Sequence, residues 1–102
     1  MTNITVEKLK EKLDNGETVH LVDVREPHER EEYHIGGTFI PLGKVQTMEI
    51  EDIEHLKGEE IICYCRSGHR SMIAAMILEQ LGFQNTKNLT GGVIAWKNHI
   101  DK

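Results

Sequence analysis

Apolar residues in this chain fall into short runs separated by polar stretches with helical periodicity. Val6, Leu9 and Leu13 recur at helical spacing behind Thr5, a residue suited to an N-cap, and Asn15-Gly16 closes that segment. Thr18–Val24 is a β-branched run that predicts a strand. Pro27 suits the first turn of a short polar helix carrying Glu29, Arg30, Glu31 and Glu32, and Gly36-Gly37 is a turn. Phe39–Leu42 reads as a second short strand, with Pro41 at its end. Met48–Leu56 reads as an amphipathic helix with Met48, Ile53 and Leu56 inward, stopped by Lys57-Gly58. Ile61–Cys65 is a compact apolar run, as expected of a central buried strand. Met72–Leu81 predicts an apolar helix ended by Gly82, and Thr86–Leu89 a last strand. Gly91-Gly92 opens a final helix bearing Trp96.

Helices alternating with short apolar strands imply βαβ units and a mostly parallel sheet with helices on both faces. Such sheets bind ligands beyond the carboxyl ends of their strands. Two of those ends carry reactive side chains: Asp23 follows Leu21-Val22, and Cys65 follows Ile61-Ile62.

The length of 102 residues is that of a single domain, so residues 1–102 are expected to fold around one core. Lys and Arg total 12 against 17 Asp and Glu, a formal charge of −5. That balance argues against general affinity for nucleic acid or an anionic membrane, while permitting a local basic pocket. Met1–Lys10 lacks the apolar core of a secretory signal. The longest apolar run, Met72–Leu78, falls well short of the ~20 residues that span a bilayer. A cytoplasmic location is the expectation. Two cysteines are too few for a disulfide scaffold. Cys63 and Cys65 are also unsuited to pairing with each other, because strand residues i and i+2 lie ~6.6 Å apart and a disulfide brings Cβ atoms to ~3.8 Å.

Cys65-Arg66-Ser67-Gly68-His69-Arg70-Ser71 joins the buried strand to the apolar helix. A connection this short must curl, and Gly68 supplies the backbone freedom. Its N–H groups and the positive end of the following helix then converge on one point, which the Cys65 sulfur occupies. Three consequences follow: a stabilised thiolate, attraction of an anion through Arg66, His69 and Arg70, and space for a second anionic sulfur or oxygen. Such a site suits sulfur-atom transfer or phosphoryl transfer. Cysteine phosphatases place an arginine with five residues between it and the cysteine, where it clamps phosphate bidentately. That position here is Ser71, and only four residues separate Cys65 from Arg70. The shorter loop favours sulfur chemistry.

These residues resemble the rhodanese family. The Cys65–Ser71 loop is similar to its active-site loop, and Val22-Asp23-Val24-Arg25-Glu26-Pro27 to its first strand and turn. His34-Ile35-Gly36-Gly37 through Ile40-Pro41-Leu42 resembles its crossing into the next strand, and Gly91-Gly92-Val93-Ile94-Ala95-Trp96 its C-terminal signature. The resemblance implies a rhodanese-like five-stranded sheet and a double displacement with no cofactor. Cys65 would attack the outer sulfur of a small anionic donor such as thiosulfate. It would hold that sulfur as a persulfide and pass it to a thiol or to cyanide. Arg66, Ser67, Gly68, His69, Arg70 and Ser71 would cradle donor and persulfide, with Asp23 and Arg25 in support. A protein persulfide donor feeding a relay, and a non-catalytic sensing domain on the same fold, are the rival readings.

Cys63, between Ile62 and Tyr64, reads as a small core residue. Asp23 reads as a buried carboxylate anchoring its surroundings, with Arg25 as its partner or as a rim charge. His20, His28, His34, His55 and His99 show no ligand spacing, and no zinc site is expected. Glu29–Glu32 reads as a solvated helix face.

Overall fold

A computed structural model describes residues 1–101. Five strands form one all-parallel sheet: β1 (Thr2–Ile4), β2 (His20–Asp23), β3 (Thr38–Phe39), β4 (Glu60–Tyr64) and β5 (Asn85–Leu89), in the order β1-β5-β4-β2-β3. The helices are α1 (Val6–Asp14), α2 (Pro27–Glu32), α3 (Leu42–Gln46), α4 (His69–Gln80) and α5 (Gly92–His99), with a 3-10 helix at Glu51–Leu56. This is the α/β architecture that the alternation implies.

β4 lies at the centre, hydrogen-bonded to β2 and β5, and both of its faces are buried. Ile61, Cys63 and Cys65 point to one face and pack with Val45, Ile53, Ala74 and Leu78 from α3, the 3-10 helix and α4. Ile62 and Tyr64 point to the other and pack with Leu9 and Val93 from α1 and α5. The period-2 alternation of a strand therefore explains why a continuous apolar run was needed. Burying Ile61 or Ile62 completely stabilises the fold by roughly 2 kcal/mol each.

Thr5 caps α1 as the sequence suggests, its Oγ1 accepting the Lys8 N–H at 3.1 Å. The expected strand Thr18–Val24 is only His20–Asp23, β4 and β5 each start one residue before the sequence expectation, and four larger differences follow. β1 pairs with β5 along an edge that three residues, Thr2–Ile4, do not announce by alternation. The expected strand Phe39–Leu42 is only Thr38–Phe39, because Leu42 already begins α3. The expected helix from Met48 starts at Glu51. Met48 itself is 63% exposed, not inward, and sits at φ 61 where α3 ends. The Glu49 N–H donates back to the Lys44 carbonyl across it, a helix-ending motif usually built on glycine. Finally, α4 starts at His69 rather than Met72, so the connection after β4 is only Cys65–Gly68.

Candidate active site

The carboxyl end of β4 delivers Cys65 to the first turn of α4. Gly68 caps that helix at φ 106, a left-handed conformation that glycine adopts without a Cβ penalty. Its N–H then points at the Cys65 Sγ, 3.1 Å away. The Ser71 N–H and Oγ reach the same sulfur at 3.4 and 3.3 Å. Burial is the largest single influence on the Cys65 thiol and pushes its pKa up. The hydrogen bonds from the Ser71 hydroxyl and from the Ser71, Gly68 and Ser67 N–H groups together outweigh it, and the net pKa lies below the ordinary value. The nest stabilises the thiolate, as its N–H groups would stabilise a further anionic sulfur.

The Ser71 hydroxyl also contacts the Oδ1 of Asn88 on β5, whose amide nitrogen donates to the Asn3 Oδ1 at 3.3 Å. Ser71 is fully buried and Asn88 nearly so. A serine hydroxyl has one proton, so it serves the sulfur or Asn88, and the strand side chain holds it in reach of both. Asn88 escaped the sequence reading. No local signal marked it: β5 reads Asn85-Thr86-Lys87-Asn88-Leu89, polar at every position but the last.

On the far side of the Cys65–Arg66 backbone, α5 docks with its first residues. The Val93 and Ile94 N–H groups donate to the Cys65 and Arg66 carbonyls at 2.9 and 3.0 Å. Gly92 makes this approach possible: a Cβ there would lie 2.4 Å from the Cys65 carbonyl oxygen and 2.7 Å from that of Arg66. The glycine pair is thus a packing device that fixes the loop from behind.

The remaining expected site residues are distributed unevenly. Ser67, Gly68 and Ser71 surround the sulfur, whereas Arg66 and His69 are exposed at the loop surface. Among the described residues Arg66 has no carboxylate within ion-pair distance, and it lines a cavity of about 320 Å³ with Glu29, Tyr33 and Lys97. Arg70 is bound already. Its Nη1 and Nη2 donate to the two carboxylate oxygens of Glu29 at 2.7 and 2.8 Å. Those hydrogen bonds, the largest influence on Glu29, hold its pKa down to about 2 against an ordinary 4.5. Glu29, expected on a solvated face, is therefore a partner of the cysteine loop.

Asp23 is fully buried and apart from the sulfur. Its Oδ1 accepts the Arg25 Nε and backbone N–H at 2.9 and 3.1 Å, and its Oδ2 accepts Nη2 at 3.0 Å. Arg25 also donates to the Tyr33 carbonyl, tying the end of α2 to β2. Both residues hold together the scaffold around α2, on which Glu29 stands. Cys63 is fully buried, and burial, aided by the charge on Cys65, pushes its thiol up to about 12. It stays protonated. No group of three or more metal-ligating side chains occurs among the described residues.

A central parallel strand leading to a cysteine, seated in an N–H nest at a helix start, defines an α/β protein with a stabilised thiolate at the carboxyl end of its sheet. Comparison makes the class particular: residues 5–99 match the Rhodanese-like domain, and the chain belongs to that family. It is 37% identical over 102 residues to a sulfurtransferase of Allochromatium vinosum, an alignment covering 97% of this chain and 91% of that one. It is 38% identical over 94 residues to YrkF of Bacillus subtilis, named as a sulfur carrier protein, covering 91% of this chain but 49% of the relative. The chain thus spans about half the length of that relative, and 64% of a Schizosaccharomyces pombe protein named for thiosulfate sulfurtransferase. Among solved structures, a rhodanese-like domain protein from Staphylococcus aureus superposes with a TM-score of 0.83 at 31% identity, covering 94% of this chain and 91% of that one. No helix among the described residues is long and apolar enough to cross a membrane.

Proposed function

We propose that this chain is a sulfurtransferase whose Cys65 carries the transferred sulfur as a persulfide. The observation carrying the reading is the convergence of the Gly68 N–H, Ser71 N–H and Ser71 hydroxyl on the Cys65 sulfur. In the loading step the thiolate attacks the outer sulfur of a sulfane donor such as thiosulfate. The donor S–S bond breaks and sulfite departs with its electron pair. In the unloading step a thiol or cyanide attacks the outer sulfur of the persulfide, and the Cys65 thiolate is restored. Each step exchanges one thiolate-like anion for another within the nest, which is nucleophilic covalent catalysis with a preorganised anion site. Each step is a displacement at the transferred sulfur, with the electron pair of the broken S–S bond leaving on sulfite or on Cys65, so neither step calls for an external oxidant or reductant. The buried, protonated Cys63 takes no part.

A relay role is the second reading, favoured by the likeness to a protein named as a sulfur carrier. There a protein persulfide loads Cys65, and thiosulfate is a poor donor. Steady-state kinetics with thiosulfate and cyanide test the main reading. Parallel double-reciprocal lines and loss of all turnover in Cys65→Ser are expected. Turnover that survives Cys65→Ser, or hydrolysis of an aryl phosphate in place of sulfur transfer, would sink it.

A further inference from the structure

The loop offers two arginines to a donor, yet of the two only Arg66 is without a carboxylate at ion-pair distance among the described residues. Arg70 faces the loop interior closely enough that the charge on Cys65 contributes to raising its pKa, as do Glu29 above all and Glu26. Its guanidinium fork is matched by both oxygens of Glu29. Glu29 is itself anchored, accepting the Glu26 N–H at 2.9 Å in the first turn of α2, so the pair is built from a fixed side. Arg25, Glu32 and Lys97 line the cavity beside Arg66, and at its loop side Glu29 cancels the charge of Arg70. A site for a small dianion gains from a net positive field, because attraction scales with the product of charges.

We propose that Glu29 is a specificity-determining residue, which by closing on Arg70 turns the site toward singly charged persulfides of thiols and away from the thiosulfate dianion. This rests on the sulfur-transfer reading above. In the favoured loading step the Cys65 thiolate attacks the outer sulfur of R–S–S⁻. A new S–S bond forms on Cys65, the donor S–S bond breaks, and R–S⁻ leaves. Two negative charges enter and two emerge. Thiosulfate brings three in total, so it loses more than the persulfide does from the charge that Glu29 cancels.

The test compares kcat/KM for thiosulfate and for 2-hydroxyethyl persulfide, a donor with an uncharged R group, in the wild type, Glu29→Gln and Glu29→Asp. In a ping-pong reaction these values report loading alone. Glu29→Gln is expected to raise the thiosulfate value about five- to tenfold and the persulfide value about two- to threefold, since the logarithm of the gain follows donor charge. Glu29→Asp keeps the charge and gives a smaller thiosulfate gain than Glu29→Gln. Between about 20 and 500 mM KCl, thiosulfate loading should fall more steeply in Glu29→Gln than in the wild type. A thiosulfate value unchanged or lowered in Glu29→Gln, equal gains in Gln and Asp, or an equal salt dependence in the wild type and Glu29→Gln would each overturn the assignment. Failure of both donors to load wild-type Cys65 would instead overturn sulfur transfer itself.

Discussion

Cys63 on β4 and Cys65 just past its end stand two residues apart and have opposite chemistry. The difference lies in hydrogen bonding: both are buried, and among the described residues only Cys65 has N–H and O–H donors aimed at its sulfur. Ser71→Ala removes the hydroxyl donor and should shift the acid limb of the pH–loading profile upward. It should also cost about tenfold at neutral pH, the worth of one hydrogen bond to a charged group. An unchanged limb would mean that the backbone N–H groups suffice. Cys63→Ala should keep full persulfide formation and lower stability by about 1 kcal/mol, read by denaturant unfolding. At this scale the seat of Cys65 was legible, because a cysteine between an apolar strand and an apolar helix, followed by Gly68, has few other conformations. The Arg70 partner was not. Glu29 is 41 residues away, and nothing in a run of four charged residues marks which one turns inward.

Elements fix what the residues do. α5 docks behind the loop through Gly92, so Gly92→Ala should destabilise by about 2 kcal/mol or more and slow loading. A Cβ there meets two carbonyl oxygens at a left-handed φ of 54. Thermal unfolding and loading rate together check this, and an unaffected protein would show that α5 gives way freely. α2 is joined to the loop by the Glu29–Arg70 pair. Because the folded pKa of Glu29 is depressed from 4.5 to about 2, the stability it contributes is present above the unfolded value and is lost as pH falls between the two. Glu29→Gln should therefore melt below wild type at pH 7 and match it near pH 2. An offset that persists at pH 2 would assign the loss to packing instead. Long periodic elements such as α1 and the apolar run of β4 were readable from the sequence. β1 and α3 were not: three and five residues are too short to show a period, and their formation depends on β5 and on the Val24 carbonyl that accepts the Leu42 N–H. Met48 misled because a non-glycine residue took a left-handed helix end.

Across the whole molecule, the strand order carries the function. The chain reaches β3 at one edge, crosses back over β2 to the centre as β4, and continues to β5. Loops at the carboxyl ends of β2, β4 and β5 thereby meet at the reversal, as ligand sites in open α/β sheets do. β2 leads into Asp23, Arg25 and α2, β4 supplies Cys65, and β5 brings Asn88 and the turn into α5. The net charge of −5 belongs to the chain as a whole, while at this junction Glu29 offsets the charge of Arg70. The alternation of helices and strands indicated a parallel sheet. Which strands became neighbours followed from long-range packing rather than from any local pattern. The measurement that tests the central claim most directly is intact-mass and peptide mass spectrometry after brief incubation with a sulfane donor. One added sulfur atom on the Cys65 peptide, removed by cyanide and absent in Cys65→Ser, is the expected result. A protein that gains no sulfur from thiosulfate or a thiol persulfide, or gains it on Cys63, would contradict the account.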